Sequence, residues 1–469
     1  MVVLEEESMI RYNTIDINDL WNKSEYREFN AEKKIARRDL KPITSRFDKD
    51  LIEIIIGPRQ SGKTTLLFFL INRLLFEKIL PEQIFYLNLD TIVSDSLFNN
   101  PSIFVEQLIA KRKSNKRLFL FLDEIQRLKN PGLFLKGVFD LQKNIKIFVS
   151  GSSSLEIRSK ITEFLTGRKR ETHLYPLSFT EIVNHENNLP DTFLGTKLTK
   201  KTITKWQKNE SVFGAYLAQK MIQTATYGGY PAVYLAQNHD ERIETLAEIY
   251  NSYLRKDIMD LMKIEKIEVF MKLVQTLSSQ TGNLVNKAEI CSLIGSNAVT
   301  ITKFINLLKE TYIASLLPPY VSVKRNEIKS AHKCFFMDNG LRNFAIKLFS
   351  NISDRPDKGA VLENLVFTEL FKKITLSESL YFWRTKAGAE MDFVLIKEAN
   401  PIPIEIKSGP AVSGRYTRSF HAFLNRFSPK TAIFLNKNIF DINCVNQTKV
   451  FCIPIHWFLL FGHEMIENI

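Results

Sequence analysis

The sequence predicts an α/β chain with a parallel sheet and crossover helices in its first third, a helical middle, and a second α/β unit at the C-terminus. Three observations predict it. Short apolar runs bounded by turn residues alternate with helix-length segments between residues 50 and 180. From 211 to about 280 the periodicity is helical, and from Lys333 onward strands and helices mix again. Composition agrees, since 45% of the 469 residues are hydrophobic and 25% charged, which excludes disorder and a single small module. The length suits about three domains. Lys and Arg number 64 against 51 acidic residues, a net charge of +13 that favours a polyanionic partner and is silent on fold. The four cysteines form no CxxC pair, which disfavours a disulfide scaffold or a zinc site. No apolar run approaches the roughly 18 residues that span a bilayer, so no membrane role is expected. The opening MVVLEEESMIRYN lacks the basic and apolar regions of a signal peptide, and the expectation is a reduced, cytoplasmic protein.

Taken in order, residues 51–56, 84–89, 118–122 and 145–149 read as parallel strands, with 172–175 a weaker fifth, in a first domain over 1–180. A helical lid or linker region follows over 181–280. Its start, TKLTKKTITKWQKNE, carries five lysines against one glutamate and reads as a solvated insertion or a nucleic-acid contact. Gly228-Gly229-Tyr230-Pro231 is a turn signal. Over 281–330, short helices at 287–293 and 298–309 precede Pro318-Pro319 and a β-rich run, the outline of a winged helix, with a plain helical bundle as the alternative. Residues 331–469 form the last unit.

Gly57 to Thr64 reads GPRQSGKT, directly after the run LIEIII and before the apolar helix TLLFFLINRLL. Pattern and context are those of a phosphate-binding P-loop. Gly57, Pro58, Arg59, Gln60, Ser61, Gly62, Lys63, Thr64 and Thr65 are therefore the expected nucleotide cradle. Lys63 is expected on the β- and γ-phosphates and the Thr64 hydroxyl on Mg²⁺, making ATP and Mg²⁺ the expected cofactors. A carboxylate at the end of a neighbouring strand must complete the magnesium shell, and LFLFLDE supplies Asp123, with Glu124 beside it to polarise the attacking water. The next strand ends in Ser150-Gly151 and three further serines, where a hydroxyl, with Ser150 the first candidate, senses the γ-phosphate or positions water; the alternative is a loop that caps a helix. Arg168 reads as an arginine finger, in cis or across the interface of a homo-oligomer, or else as a surface charge beside Lys169 and Arg170.

Near the C-terminus Glu363 sits in a helix-like run, followed by WRTKAGAEMDFVLIKEANPIPIEIKSG. If 391–396 and 401–407 form a hairpin around the four-residue loop 397–400, residue i pairs with 797 − i, and Asp392 lies opposite Glu405. Directly paired residues share a face, Lys407 joins them by the period of two, and Ile402, Ile404 and Ile406 point to the other side. Two carboxylates so close repel unless a cation or proton lies between them, and an oxygen-seeking Mg²⁺ or Mn²⁺ is the expected occupant. Glu363, Asp392, Glu405 and Lys407 are similar to the PD-(D/E)xK nuclease pattern of acid on a helix, Asp on one strand and E-x-K on the next. The alternative is an exposed hairpin carrying an ion pair. Arg384, Lys386, Arg415 and Arg418 flank the site and suit a phosphate backbone or plain solvent.

GPRQSGKTT, FLFLDEIQRL, FVSGSSSLEI, LTGRKRETHLYPLSFTEI, GGYP, YLRKDI and the C-terminal block together resemble the prokaryotic AAA-type ATPases that carry a C-terminal nuclease-like domain of unknown function. The resemblance runs from about Arg37 to Gly409. It implies a P-loop sheet of the additional-strand class, followed by a C-terminal restriction-endonuclease-like α/β domain, and it supports Lys63, Thr64, Asp123 and Glu124. The expected function is Mg²⁺-dependent ATP hydrolysis coupled to handling of DNA, with metal-dependent cleavage by the C-terminal domain. The alternative is an ATP-switched DNA-binding or protein-assembly factor whose nuclease-like domain is inactive.

Overall fold

A computed structural model describes residues 34–91, 95–110, 116–151, 164–186, 199–252, 267–321, 331–409 and 411–460. Residues 152–154, the string 253–258, the stretch 192–198 and the run 322–330 lie outside them. The chain divides into two compact units, one ending at Tyr175 and the other beginning at Pro176.

In the first unit, β1 (Ile52–Ile56), β2 (Ile84–Asn88), β3 (Leu118–Asp123), β4 (Ile145–Gly151) and β5 (Lys169–His173) form one sheet in the order β2-β3-β4-β1-β5. Every pair in it is parallel. Strands covered on both faces read as continuous apolar runs, which is why the sequence marks them well. β4 lies between β1 and β3, the extra strand that the family resemblance implies. The fifth strand begins three residues earlier than expected, because Lys169 and Arg170 pair with the start of β1 despite their charge. Helices α1 (Leu40–Thr44), α2 (Lys63–Phe76), α3 (Pro101–Ala110) and α4 (Pro131–Asp140) connect or flank these strands. Leu66, Leu67, Leu70, Ile71 and Leu74 on α2 are buried in one cluster with Ile55, Phe119, Phe121 and Phe148.

One polar residue interrupts β1. Glu53 is fully buried, and it survives there because Arg46 meets it through two hydrogen bonds of 2.9 and 2.8 Å while Lys146 lies 3.3 Å away. A buried carboxylate without such partners is strongly destabilising.

The second unit opens with α5 (Phe179–His185) and α6 (Lys200–Asn209), followed after a π-helical turn by α7 (Ala215–Tyr227), α8 (Pro231–Leu235) and α9 (His239–Tyr250). The lysine-rich stretch is thus not a wholly solvated insertion. Thr202, Ile203 and Trp206 on α6 are buried, whereas Lys200, Lys201 and Lys208 are exposed. The Gly228–Pro231 turn separates α7 from α8 as expected. Next come α10 (Ile267–Ser279), α11 (Lys287–Ile294), α12 (Ala298–Glu310) and the antiparallel pair β6 (Ala314–Leu317) and β7 (Lys333–Phe336). Leu284, between α10 and α11, bridges to Lys333. Among the described residues no single helix is long and apolar enough to cross a membrane.

After α13 (Asn339–Ala345), α14 (Lys358–Lys373) leads into β8 (Glu378–Arg384), β9 (Glu390–Lys397), β10 (Asn400–Ile406), α15 (Arg418–Phe427), β11 (Thr431–Asn436), β12 (Asp441–Val445) and β13 (Thr448–Pro454). The six strands form a mixed sheet in the order β12-β13-β11-β10-β9-β8. Phe420, Phe423 and Leu424 of α15 pack on Trp383, Met391, Val394 and Phe434 of the sheet. Asp357, just before α14, accepts from Arg342 (2.5 Å) and from Arg355 (2.8 and 2.7 Å), two guanidiniums that are essentially out of solvent.

The β9–β10 ladder pairs Ile404 with Phe393, Ile402 with Leu395 and Asn400 with Lys397, the register expected from the sequence. The loop is tighter than expected. Pairing continues to Asn400 and Lys397, leaving a two-residue turn at Glu398 and Ala399, both with left-handed φ of 48° and 65°.

Candidate functional site

The phosphate loop spans the end of β1 and the start of α2. Gly62 adopts φ 94°, and a side-chain carbon at Gly57 would fall 2.1 Å from the Leu174 carbonyl oxygen. Both positions therefore demand glycine. The loop is tethered by Arg37, which is buried and donates from Nη1 to the Ser61 carbonyl (2.5 Å) and from Nη2 to the Tyr175 carbonyl (2.6 Å). Sequence reasoning missed Arg37, one of several arginines ahead of the first strand with nothing local to single it out.

Lys63 is buried, with its ammonium on the carbonyls of Pro58 (2.9 Å) and Gly57 (3.2 Å). Burial lowers its pKa to about 8, against the pull of Glu124 and Asp123. Thr64 donates its hydroxyl to Asp123 Oδ2 at 2.6 Å, so the last loop residue and the end of β3 meet directly. Tyr86 on β2, absent from the expected set, donates to the same oxygen at 3.0 Å. Ser150, at the end of the intervening β4, donates to Asp123 Oδ1 and accepts from the Glu124 backbone N–H at 3.2 Å. Glu124 stands in the left-handed region at φ 59°, ψ 48°, an uncommon and costly conformation for a side chain of its size, and its carboxylate accepts from Gln126. Thus Lys63, Thr64, Asp123, Glu124 and Ser150 are brought to one edge of the sheet. Thr65 lies in the first turn of α2, Arg59 is half-buried in the loop and Gln60 is exposed.

These residues fit a magnesium-bound triphosphate. The hydroxyl and carboxylate of Thr64 and Asp123 are hard oxygen donors side by side. Ser61 Oγ is buried in the loop with no hydrogen-bond partner among the described residues, an orphan that a phosphate oxygen would satisfy. The start of α2 presents its N–H groups to an anion.

Arg168 does not join this site within its own chain. Its carbonyl accepts from Ile52, the first residue of β1, whereas the phosphate loop follows the last residue of that strand. At about 3.3 Å per residue the two edges of the sheet stand roughly 15 Å apart. Arg168 pairs there with Asp140 at 3.0 Å. Arg168 therefore cannot serve as an arginine finger in cis.

In the second unit Glu363, Asp392, Glu405 and Lys407 do form a cluster. Asp392 Oδ2 accepts from the Ile406 backbone N–H (2.7 Å), beside Glu405. Glu405, nearly buried, receives Lys407 Nζ at 2.9 Å and the Thr417 hydroxyl at 2.9 Å. Two further residues belong to the cluster that the sequence pattern did not contain. Lys333 at the start of β7 lies 3.1 Å from Glu363 and 2.6 Å from Glu390. Burial raises the pKa of Asp392, with neighbouring Glu363 adding to the rise; it raises that of Glu363 too, against the pull of Lys333. Lysines thus lie among the acids where a metal was expected at Asp392 and Glu405, and among the described residues no group of three or more His, Cys, Asp or Glu side chains is placed to hold a metal ion. Arg384 pairs with Glu390 at 3.4 Å, while Lys386, Arg415 and Arg418 are exposed.

Residues 49–183 match the family model described as an AAA domain. With the P-loop geometry above, that match makes the first unit an AAA-type ATPase domain that takes ATP. Two models described as domains of unknown function, DUF8612 and DUF4143, match residues 218–352 and 358–458. An uncharacterised protein of Haemophilus influenzae is 27% identical over 336 residues, 70% of this chain and 76% of the relative. Another, of Methanocaldococcus jannaschii, is 26% identical over 378 residues, 79% of this chain and 77% of the relative. Among solved structures, the Walker-type ATPase of Pyrococcus abyssi is similar at a TM-score of 0.41 and 11% identity, covering 67% of this chain and 97% of that one.

Proposed function

We propose that the chain is a Mg²⁺-dependent ATP hydrolase whose nucleotide cycle drives handling of DNA by its second unit. The observation that carries the hydrolase is the hydrogen-bonded series Thr64, Asp123, Ser150 and Glu124 at one sheet edge. Bound Mg²⁺-ATP supplies the electrophilic γ-phosphoryl group. Lys63 neutralises charge on the phosphate oxygens, Thr64 and Asp123 hold the metal shell, and Glu124 takes the proton of the attacking water. Ser150 touches both Asp123 and the Glu124 backbone, so occupancy of the γ-phosphate position is passed to the water-activating residue.

The DNA part is supported by the charge of +13, and by α10, α11 and α12 followed by β6 and β7 in the order of a winged helix, with Leu284 bridged to Lys333. Binding without cleavage is favoured over metal-dependent cutting because Glu363 already carries an internal cation. An arginine finger from Arg168 would act across the interface of a homo-oligomer; Arg168→Ala lowering turnover in a concentration-dependent way tests it.

The deciding experiment incubates the full chain with labelled single-stranded, duplex and branched DNA, Mg²⁺ or Mn²⁺, with and without ATP, beside Lys407→Ala. Retention without cutting, altered by ATP, is the expected result. Cutting that vanishes in the variant would establish the nuclease. Loss of all nucleic-acid binding at physiological salt would turn the reading toward a protein client.

A further inference from the structure

The pattern of helical acid, strand aspartate and Glu-x-Lys implies a divalent cation, and the residues of this chain do not fit one. Mg²⁺ and Mn²⁺ seek about six oxygens, several of them water. Unlike Asp123, whose partners are neutral hydroxyls, three of the acids here are already paired with an ammonium of the protein itself. Glu363 and Glu390 hold Lys333, Asp392 holds the Ile406 N–H, and Glu405 holds Lys407 and Thr417. Lys333 is also the most enclosed cation of the group, 3% exposed, with its ammonium 5.5 Å from the centre of the Phe382 ring. It comes from outside the C-terminal sheet, standing in β7 where it pairs with Leu317 and bridges to Leu284.

We infer that Lys333 is the resident cation of this carboxylate cluster and stands in for the divalent metal of the nuclease-like pattern. An ammonium carries one charge and coordinates no water, so it cannot generate the metal-bound hydroxide on which hydrolysis depends. Its effect is mechanical. It fastens the β6–β7 ladder to α14 and β9 through two charged contacts, a well-buried one to Glu363 and a half-buried one to Glu390. The inference deepens the non-cleaving reading of the second unit and rests on it.

The test counts Mn²⁺ bound to the nucleotide-free full chain by the loss of the free-ion EPR signal, in the wild type and in Asp392→Asn. The two are expected to titrate alike, within about twofold. A further Mn²⁺ taken up by the wild type and lost in Asp392→Asn overturns the inference. In parallel, Lys333→Met, which strands Glu363 and Glu390, is expected to lower Tm by on the order of 10 °C, with Lys333→Arg restoring most of it. A Lys333→Met protein that melts like the wild type also overturns it. Should that variant not fold, the Mn²⁺ comparison still decides. DNA binding by the wild type is scored separately, so failure of the inference and failure of the DNA-handling reading are distinguishable.

Discussion

Replacing Lys63 with methionine should make the nucleotide-free protein slightly more stable while ending its turnover. The amine sits at a pKa of about 8 rather than 10.5 because it is buried. At about 1.4 kcal/mol per pH unit, the folded chain carries roughly 3 kcal/mol against keeping Lys63 charged at pH 7. Methionine removes that cost but leaves the Gly57 and Pro58 carbonyls without their donor, at about 1 kcal/mol each. The net is a gain of about 1 kcal/mol at pH 7, a rise in Tm of about 3 °C. The sign is set by a folded pKa below the unfolded one. The penalty is full below pH 8 and fades as pH rises through 8 toward 10.5, so by pH 10 the lost hydrogen bonds dominate and Lys63→Met becomes the less stable protein. Thermal melts at pH 7 and pH 10, with phosphate release from ATP measured alongside, follow both effects. A variant that is destabilised at pH 7 and no worse at pH 10 would refute the electrostatic argument. Undiminished turnover would refute the P-loop assignment, since loss of a charge-stabilising group there should cost at least about a hundredfold.

Glu124→Gln should keep ATP binding and slow hydrolysis by about a hundredfold or more; filter binding beside turnover separates the two, and lost binding would mean Glu124 is structural. Tyr86→Phe removes one of the donors on Asp123 Oδ2 and should raise the Mg²⁺ concentration for half-maximal turnover several-fold, with a stability loss of about 1.5 kcal/mol. Asp357→Asn should cost about 3 kcal/mol by unpairing Arg342 and Arg355. Burial pushes Asp357 upward, but the Arg355 and Arg342 guanidiniums outweigh it and hold the carboxyl at about 2 against an ordinary 3.8. Its contribution is therefore present above pH 4 and lost as pH falls from 4 toward 2, a limb that acid titration of the variant should lack.

The sheet and its phosphate loop are legible because a doubly covered parallel strand needs apolar residues throughout and a P-loop needs glycine where Gly57 and Gly62 stand. The β9–β10 register is legible too, since alternation of Asp392, Glu405 and Lys407 with apolar neighbours admits one pairing. Arg37, Tyr86 and Lys333 are not, because each acts on a segment distant in sequence and carries no local pattern. Lys333 stands 59 residues before Asp392 and in a different strand pair. The placement of Arg168 was decidable from polarity alone: in a parallel sheet, whatever precedes one strand lies at the edge opposite to whatever follows its neighbour.

The left-handed backbone of Glu124 bears on how this protein can change over generations. Glycine at that position would relieve about 1 kcal/mol of strain, largely offset by the greater freedom it gives the unfolded chain, so that backbone energetics would no longer oppose its entry. It would also delete the water-activating acid. Lineages or laboratory libraries screened only for heat tolerance should therefore drift toward hydrolytically silent forms that still grip nucleotide, and a copy freed from selection for turnover would be recognisable by what occupies this one corner after β3.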